Sequence, residues 1–146
     1  MLLEKYYEMW ENDAHIDLSD IAGTTSAIPK LHNKYLMLLR QETLKLRKKQ
    51  ADLKILNTKK FQYYTKVMSP EEMEELGWEP LRQKIGLKST AQQYMDADPQ
   101  LIDMSLKVDY QQEVVKYLEG VVGMINNRGY QLSTIVQWKK FTQGDG

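Results

Sequence analysis

Nine basic side chains fall between positions 40 and 66, Arg40, Lys45, Arg47, Lys48, Lys49, Lys54, Lys59, Lys60 and Lys66, against only Glu42 and Asp52. The local excess is seven positive charges (nine minus two), in a chain whose formal net charge is zero. Three aromatics, Phe61, Tyr63 and Tyr64, close the run. Exposed on one helix, these residue types suit single-stranded nucleic acid. Cationic groups neutralise phosphates, and aromatic faces accept unstacked bases at about 1–3 kcal/mol each. The compensating acid follows at once in Glu71, Glu72, Glu74, Glu75 and Glu79, so the zero average hides a segregation of charge. The competing reading is a solvated helix face whose charges serve solubility and whose aromatics belong to a core.

Other chemistries find less support. His15 and His32 are the only histidines, 17 positions apart, one expected in a loop and one on the long helix, and read as ordinary surface residues and not as a metal pair. Asp96, Asp98 and Asp103 suggest a calcium loop, but Leu101 stands where that loop needs glycine and Lys107 where it needs a bidentate glutamate. Cysteine is absent, which excludes disulfides, thiolate metal sites and a cysteine nucleophile. No glycine-rich phosphate loop, catalytic carboxylate pair or nucleophile elbow occurs. The expectation is a protein that is not an enzyme, with no catalytic residue, cofactor or metal.

The elements that must carry the basic run are helical. Hydrophobic residues make up 42% and charged residues 27%, enough for a core, with only 8 Gly and 4 Pro among 146 residues. No uninterrupted apolar run reads as a signal peptide or membrane span. Residues 2–11 predict a short amphipathic helix ended by Asn12-Asp13, and His15 to Thr25 a loop with one helical turn. From Ala27 to about Val67 the pattern predicts one long helix, with Ser26 as its cap and Pro29 in the first turn. Leu39, Leu46, Leu53 and Val67 repeat at sevens beside Tyr35, Leu56 and Tyr63, while Glu42, Lys49 and Lys60 interrupt the seam. Ser69-Pro70-Glu71-Glu72 starts a short acidic helix that Gly77 stops. Trp78 to Lys88 reads as a connecting loop, with a helical turn or two after Ser89.

Asp98-Pro99 opens a second long helix that runs to about Asn127 and ends at Arg128-Gly129. On it Leu101, Val108, Val115 and Val122 repeat at sevens beside Met104, Leu118 and Ile125. Leu106, Tyr110, Val114, Tyr117, Val121 and Met124 form a second apolar stripe, so the helix must be covered on two sides. Gly120 and Gly123 leave room for a close neighbour. Ser133 predicts the cap of a last helix bearing Ile135, Trp138 and Phe141. The class is all-α, two long helices in a hairpin or bundle plus short ones. It divides into a basic region (1–68), an acidic short helix and connector (69–97) and a carboxy-terminal helical region (98–146).

The run from Ile125-Asn126-Asn127-Arg128-Gly129-Tyr130 through Ile135 and Trp138 to Phe141 and Gly144 is similar, without gaps, to the end of the UvsY recombination mediators. There I-x-x-R-G-aromatic-x-aliphatic-x-x-I precedes a basic residue, a Phe and a Gly. The stretch from Ile16-Asp17 to Tyr63-Tyr64 resembles the same family, whereas residues 68–93 do not align. The resemblance implies a ring-like homo-oligomer of six or seven subunits held by carboxy-terminal helices, which makes Leu101, Met104, Val108, Val115, Leu118, Val122 and Ile125 the candidate oligomerisation residues. It also implies a single-stranded DNA surface in the amino-terminal half and loading of a RecA-like recombinase onto DNA coated by single-strand-binding protein. The setting it implies is the cytoplasm of an infected bacterium. The family's DNA-binding Lys-Ala-Arg-Leu motif corresponds to Thr58-Lys59-Lys60-Phe61, with Lys60 in the place of the Arg. A scaffold whose basic helix docks on an acidic protein is the alternative.

Overall fold

Hydrophobic residues at helical spacing, with few glycines and prolines, produce helices over most of the described chain. The structure is a computed structural model and describes residues 1–81 and 88–144. Its elements are α1 (Leu2–Asp13), α2 (Ile21–Ser26), α3 (Ile28–Tyr64), α4 (Pro70–Leu76), α5 (Lys88–Asp96), α6 (Pro99–Asn126) and α7 (Arg128–Thr142). No strand occurs among the described residues, and none of their helices is long and apolar enough to cross a membrane. Most of the loop expected over 78–88 lies outside the described residues.

Several helix ends follow the expected chemistry. The Ser69 hydroxyl accepts the Glu72 amide, Pro70 opens α4, and Gly77 closes it at φ 73°, where any Cβ would be strained. Asp20 caps α2 through the Gly23 amide at 3.0 Å, and a Cβ at Gly23 would stand 2.1 Å from the Asp20 carboxylate. Two ends differ from expectation. Ser26 is the last residue of α2 and its hydroxyl donates to the Gly23 carbonyl, so it is not the cap of α3. The second long helix ends at Asn126, as expected, but Arg128-Gly129 also opens α7, five positions before Ser133.

The reason lies in Arg128. Its guanidinium donates to the carbonyls of Asp13 (3.2 Å), Ala14 (2.5 Å) and His15 (3.3 Å), and it lies over the Trp10 ring at 5.9 Å. Those carbonyls are among the unsatisfied acceptors at the end of α1, where the helix dipole also favours a cation. Anchored there, the chain needs only Asn127 between α6 and α7.

The chain forms two compact units, Met1–Leu44 with the chain from Gln112, and Lys45–Gln111, so each long helix contributes to both and the division does not follow sequence order. In the first unit α1 runs antiparallel to the start of α3. The Tyr6 hydroxyl donates to buried Glu42 at 2.9 Å, and that of Tyr35 donates to Asp13 at 2.8 Å. Burial, then the hydrogen bond to Glu42, pushes the Tyr6 phenol up to about 12. Tyr35, Val114, Leu118, Val121 and Ile125 are fully buried there. Gly120 and Gly123 have nothing within 4 Å of where a Cβ would stand, so the close approach expected at them does not occur within the chain.

In the second unit the rest of α3 runs antiparallel to the start of α6, with Lys49 bonded to Gln111 at 3.4 Å and Lys60 to Asp98 at 3.0 Å. The residues that seemed to interrupt the heptad seam of α3 belong to it: Glu42 and Lys60 are buried, and Lys49 is half-buried. Each meets a polar partner, and such pairs specify helix register at some cost in stability.

Candidate nucleic-acid interface

Within the second unit α3 turns its seam inward and leaves the opposite face to solvent. Arg47, Lys48, Ala51, Lys54, Ile55, Thr58 and Phe61 recur at three- and four-residue steps, which places them on one side of the helix, and all are exposed. From Arg47 to Phe61 the stripe spans about 21 Å at ~1.5 Å per residue. Cations alternate with apolar groups along it, and Ile55 and Phe61 are 56% and 37% exposed. Such a surface presents charge to a phosphate backbone and apolar faces to bases.

Of the other basic residues assigned to the site, Lys45 and Lys66 are exposed in the same unit, Lys66 in the left-handed region at φ 63°, and Arg40 is exposed in the first unit. Lys59 and Lys49 are half-buried, the latter held by Gln111.

Lys60 and Tyr63, read from the sequence as surface groups, are core. Lys60 is 5% exposed, paired with Asp98 and seated 4.1 Å over the Trp78 ring. Tyr63 packs edge-on against Trp78 at 5.3 Å and donates its hydroxyl to the Glu79 carbonyl. Half-buried Tyr64 donates to Asp98 at 2.7 Å and stacks on Tyr94 at 5.9 Å. The place of the family motif's Arg is therefore filled here by a buried ion pair, and of the three aromatics only Phe61 is exposed to a base.

Asp98 organises this cluster. Its Oδ2 takes Lys60 and Tyr64, and its Oδ1 accepts the amides of Gln100 (2.9 Å) and Leu101 (3.1 Å), capping α6. Burial alone would raise its pKa, but hydrogen bonds from Tyr64, Lys60 and the Leu101 amide outweigh that and hold it below 3.8. The Tyr64 phenol is pushed up, by burial first and then by Asp98. The Asp98-Pro99 signal was legible as a helix start, but its partners Lys60, Tyr64 and the overlying Trp78 come from distant positions that no spacing rule joins.

The acidic helix α4 belongs to the same unit, with Glu71, Glu74 and Glu75 exposed. Among the described residues no group of three His, Cys, Asp or Glu is placed to hold a metal ion.

The residues assigned to oligomerisation are placed differently from expectation. Leu101 and Val108 are buried in the second unit and Val115, Leu118 and Ile125 in the first, with Met104 and Val122 half-buried. The heptad they form covers α6 within the protomer. Large exposed apolar side chains gather on α7, where Tyr130, Trp138 and Phe141 are 79%, 64% and 77% exposed.

Residues 9–145 match the family described as "Recombination, repair and ssDNA binding protein UvsY". No curated protein matches the chain. Among solved structures, the crystal structure of the bacteriophage T4 recombination mediator protein UvsY (lattice type IV) is similar with a TM-score of 0.72 and 18% identity, covering 97% of this chain and 99% of that one. At that identity the likeness is one of fold.

Proposed function

The chain belongs to the UvsY family, and on that premise we propose that it is a phage recombination mediator that binds single-stranded DNA along the exposed stripe of α3. The observation that carries this reading is the stripe itself: Arg47, Lys48 and Lys54 exposed on one helix face, with exposed Ile55 and Phe61 following them on the same face. Arg40, Lys45 and Lys66 extend the positive surface, whereas Lys60 and Tyr63 support it from the core. The protein acts by binding and not by turnover. It assembles into a ring-like homo-oligomer in the cytoplasm of the infected host and reorganises DNA already coated by single-strand-binding protein, so that a RecA-like recombinase nucleates there. Several weak basic stripes in one assembly raise affinity through multivalency, with no new kind of interaction.

The test is fluorescence anisotropy with a labelled single-stranded oligonucleotide across a salt series. The slope of log affinity against log salt is expected to fall by ~0.7 for each phosphate that is no longer neutralised. Arg47→Ala with Lys48→Ala and Lys54→Ala flattens it accordingly and leaves helicity unchanged. No binding at low salt by the folded protein would overturn the reading and favour the scaffold, whose basic helix docks on an acidic partner.

A further inference from the structure

Beside the basic stripe, α3, α5 and α6 of the second unit enclose an open groove of about 460 Å³. Leu53, Met95 and Leu101 line it as apolar surface, and so do Ile102 and Leu106, which are 44% and 61% exposed. Five polar side chains also line it, and three of them, Lys54, Asn57 and Ser105, have no hydrogen-bond or ion-pair partner among the described residues. On the α5 side Gln92 donates to Asp96 at 2.8 Å, so that carboxylate is already oriented.

We propose that this groove receives an unstacked base of the strand whose phosphates lie on the stripe. Lys54 belongs to both surfaces, so a phosphate held by it brings the attached base to the groove. The charges set the direction of entry. A phosphate meets a cation on the α3 side and the Asp96 carboxylate on the α5 side, so the backbone stays on α3 and only a neutral heterocycle crosses. An apolar floor accepts the face of such a ring, and flipped bases are held between apolar side chains in this way. A free carboxamide and a free hydroxyl, Asn57 and Ser105, supply the donors and acceptors that base edges require. The inference rests on DNA binding by the stripe and adds that one base is seated in the groove, apart from any that meet Ile55 and Phe61 on the stripe.

The two readings separate in one experiment on the full chain. Anisotropy is measured with an oligonucleotide and with an abasic strand of the same length, each across a salt series. The base-containing strand is expected to bind about tenfold more tightly, in the range that a seated base contributes. Ser105→Phe, which fills the groove, brings that ratio towards one while the salt slope stays as in the wild type. Equal binding of both strands by the wild type, or a ratio left unchanged by Ser105→Phe in a folded variant, would overturn the base pocket and leave the groove to an apolar segment of a protein. Failure to bind either strand would instead sink the DNA reading itself. If Ser105→Phe does not fold, photo-crosslinking of a 5-iodouracil oligonucleotide to the wild type decides. Crosslinks to Met95 or residues 102–106 support the pocket, and crosslinks confined to α3 overturn it.

Discussion

At the scale of single residues, polar groups in an otherwise apolar seam do the most specific work. Lys60 and Asp98 are both nearly inaccessible, and each is the other's charge partner. Removing one member leaves the other buried without compensation, so Asp98→Asn is expected to cost about 3 kcal/mol in chemical denaturation. Lys60→Met with Asp98→Asn recovers much of that loss. The pH dependence follows from the same carboxyl. Its pKa is depressed in the folded chain, so its contribution is complete above 3.8 and is lost as pH falls below that value towards the folded one. Acid melts should show a destabilisation below about pH 4 that is smaller in Asp98→Asn. Asp13, half-buried and accepting from Lys34 and Tyr35, is depressed for like reasons and adds to the acid sensitivity of the first unit. A variant as acid-sensitive as the wild type would show that Asp98 is not the titrating group.

At the scale of elements, helix ends decide where the chain turns. Arg128 fastens the beginning of α7 to the end of α1 through three carbonyls, two of them outside the reach of any local cap. Arg128→Ala is expected to lose about 2 kcal/mol, since hydrogen bonds from a charged donor are the stronger kind and partly buried acceptors are left open. Arg128→Lys restores only part, because an ammonium lacks the planar fork. Equal stability of the wild type and Arg128→Ala would assign the anchor elsewhere. The same anchor explains what could and could not be read in the sequence. Local chemistry was legible: Ser69 with Pro70, Gly77, and Asp98 before Pro99 all mark real boundaries. Arg128-Gly129 looked like a stop because a cation and a glycine favour a helix end, but its partner lay more than a hundred residues away. The basic stripe was legible for Arg47, Lys48 and Lys54, whereas Lys60 and Tyr63 were misplaced because their burial is set by Asp98, Trp78 and the Glu79 carbonyl. Ile55 carried a usable signal in its spacing, one residue after Lys54 and seven or eight after the Lys48 and Arg47 pair, although an aliphatic side chain does not by itself suggest a base.

At the scale of the whole molecule, what the protomer leaves uncovered bears on assembly. The heptad on α6 that looked like a subunit interface is occupied within the chain, so Val115→Asp or Leu118→Asp should abolish folding, with loss of helicity, instead of releasing folded protomers. The stacked pair Trp138 and Phe141, with Tyr130 on the same helix, is exposed to a degree unusual for large apolar side chains gathered on one element. If assembly runs through α7, Phe141→Asp yields a smaller particle by light scattering with unchanged circular dichroism, because the residue is 77% exposed and supports little of the protomer. Its DNA affinity should then drop well beyond any local effect, since one basic stripe replaces several, while the affinity per protomer for a very short oligonucleotide stays the same. An intact assembly in Phe141→Asp would move the interface away from this pair, and a smaller particle with undiminished affinity for long strands would remove multivalency from the mechanism.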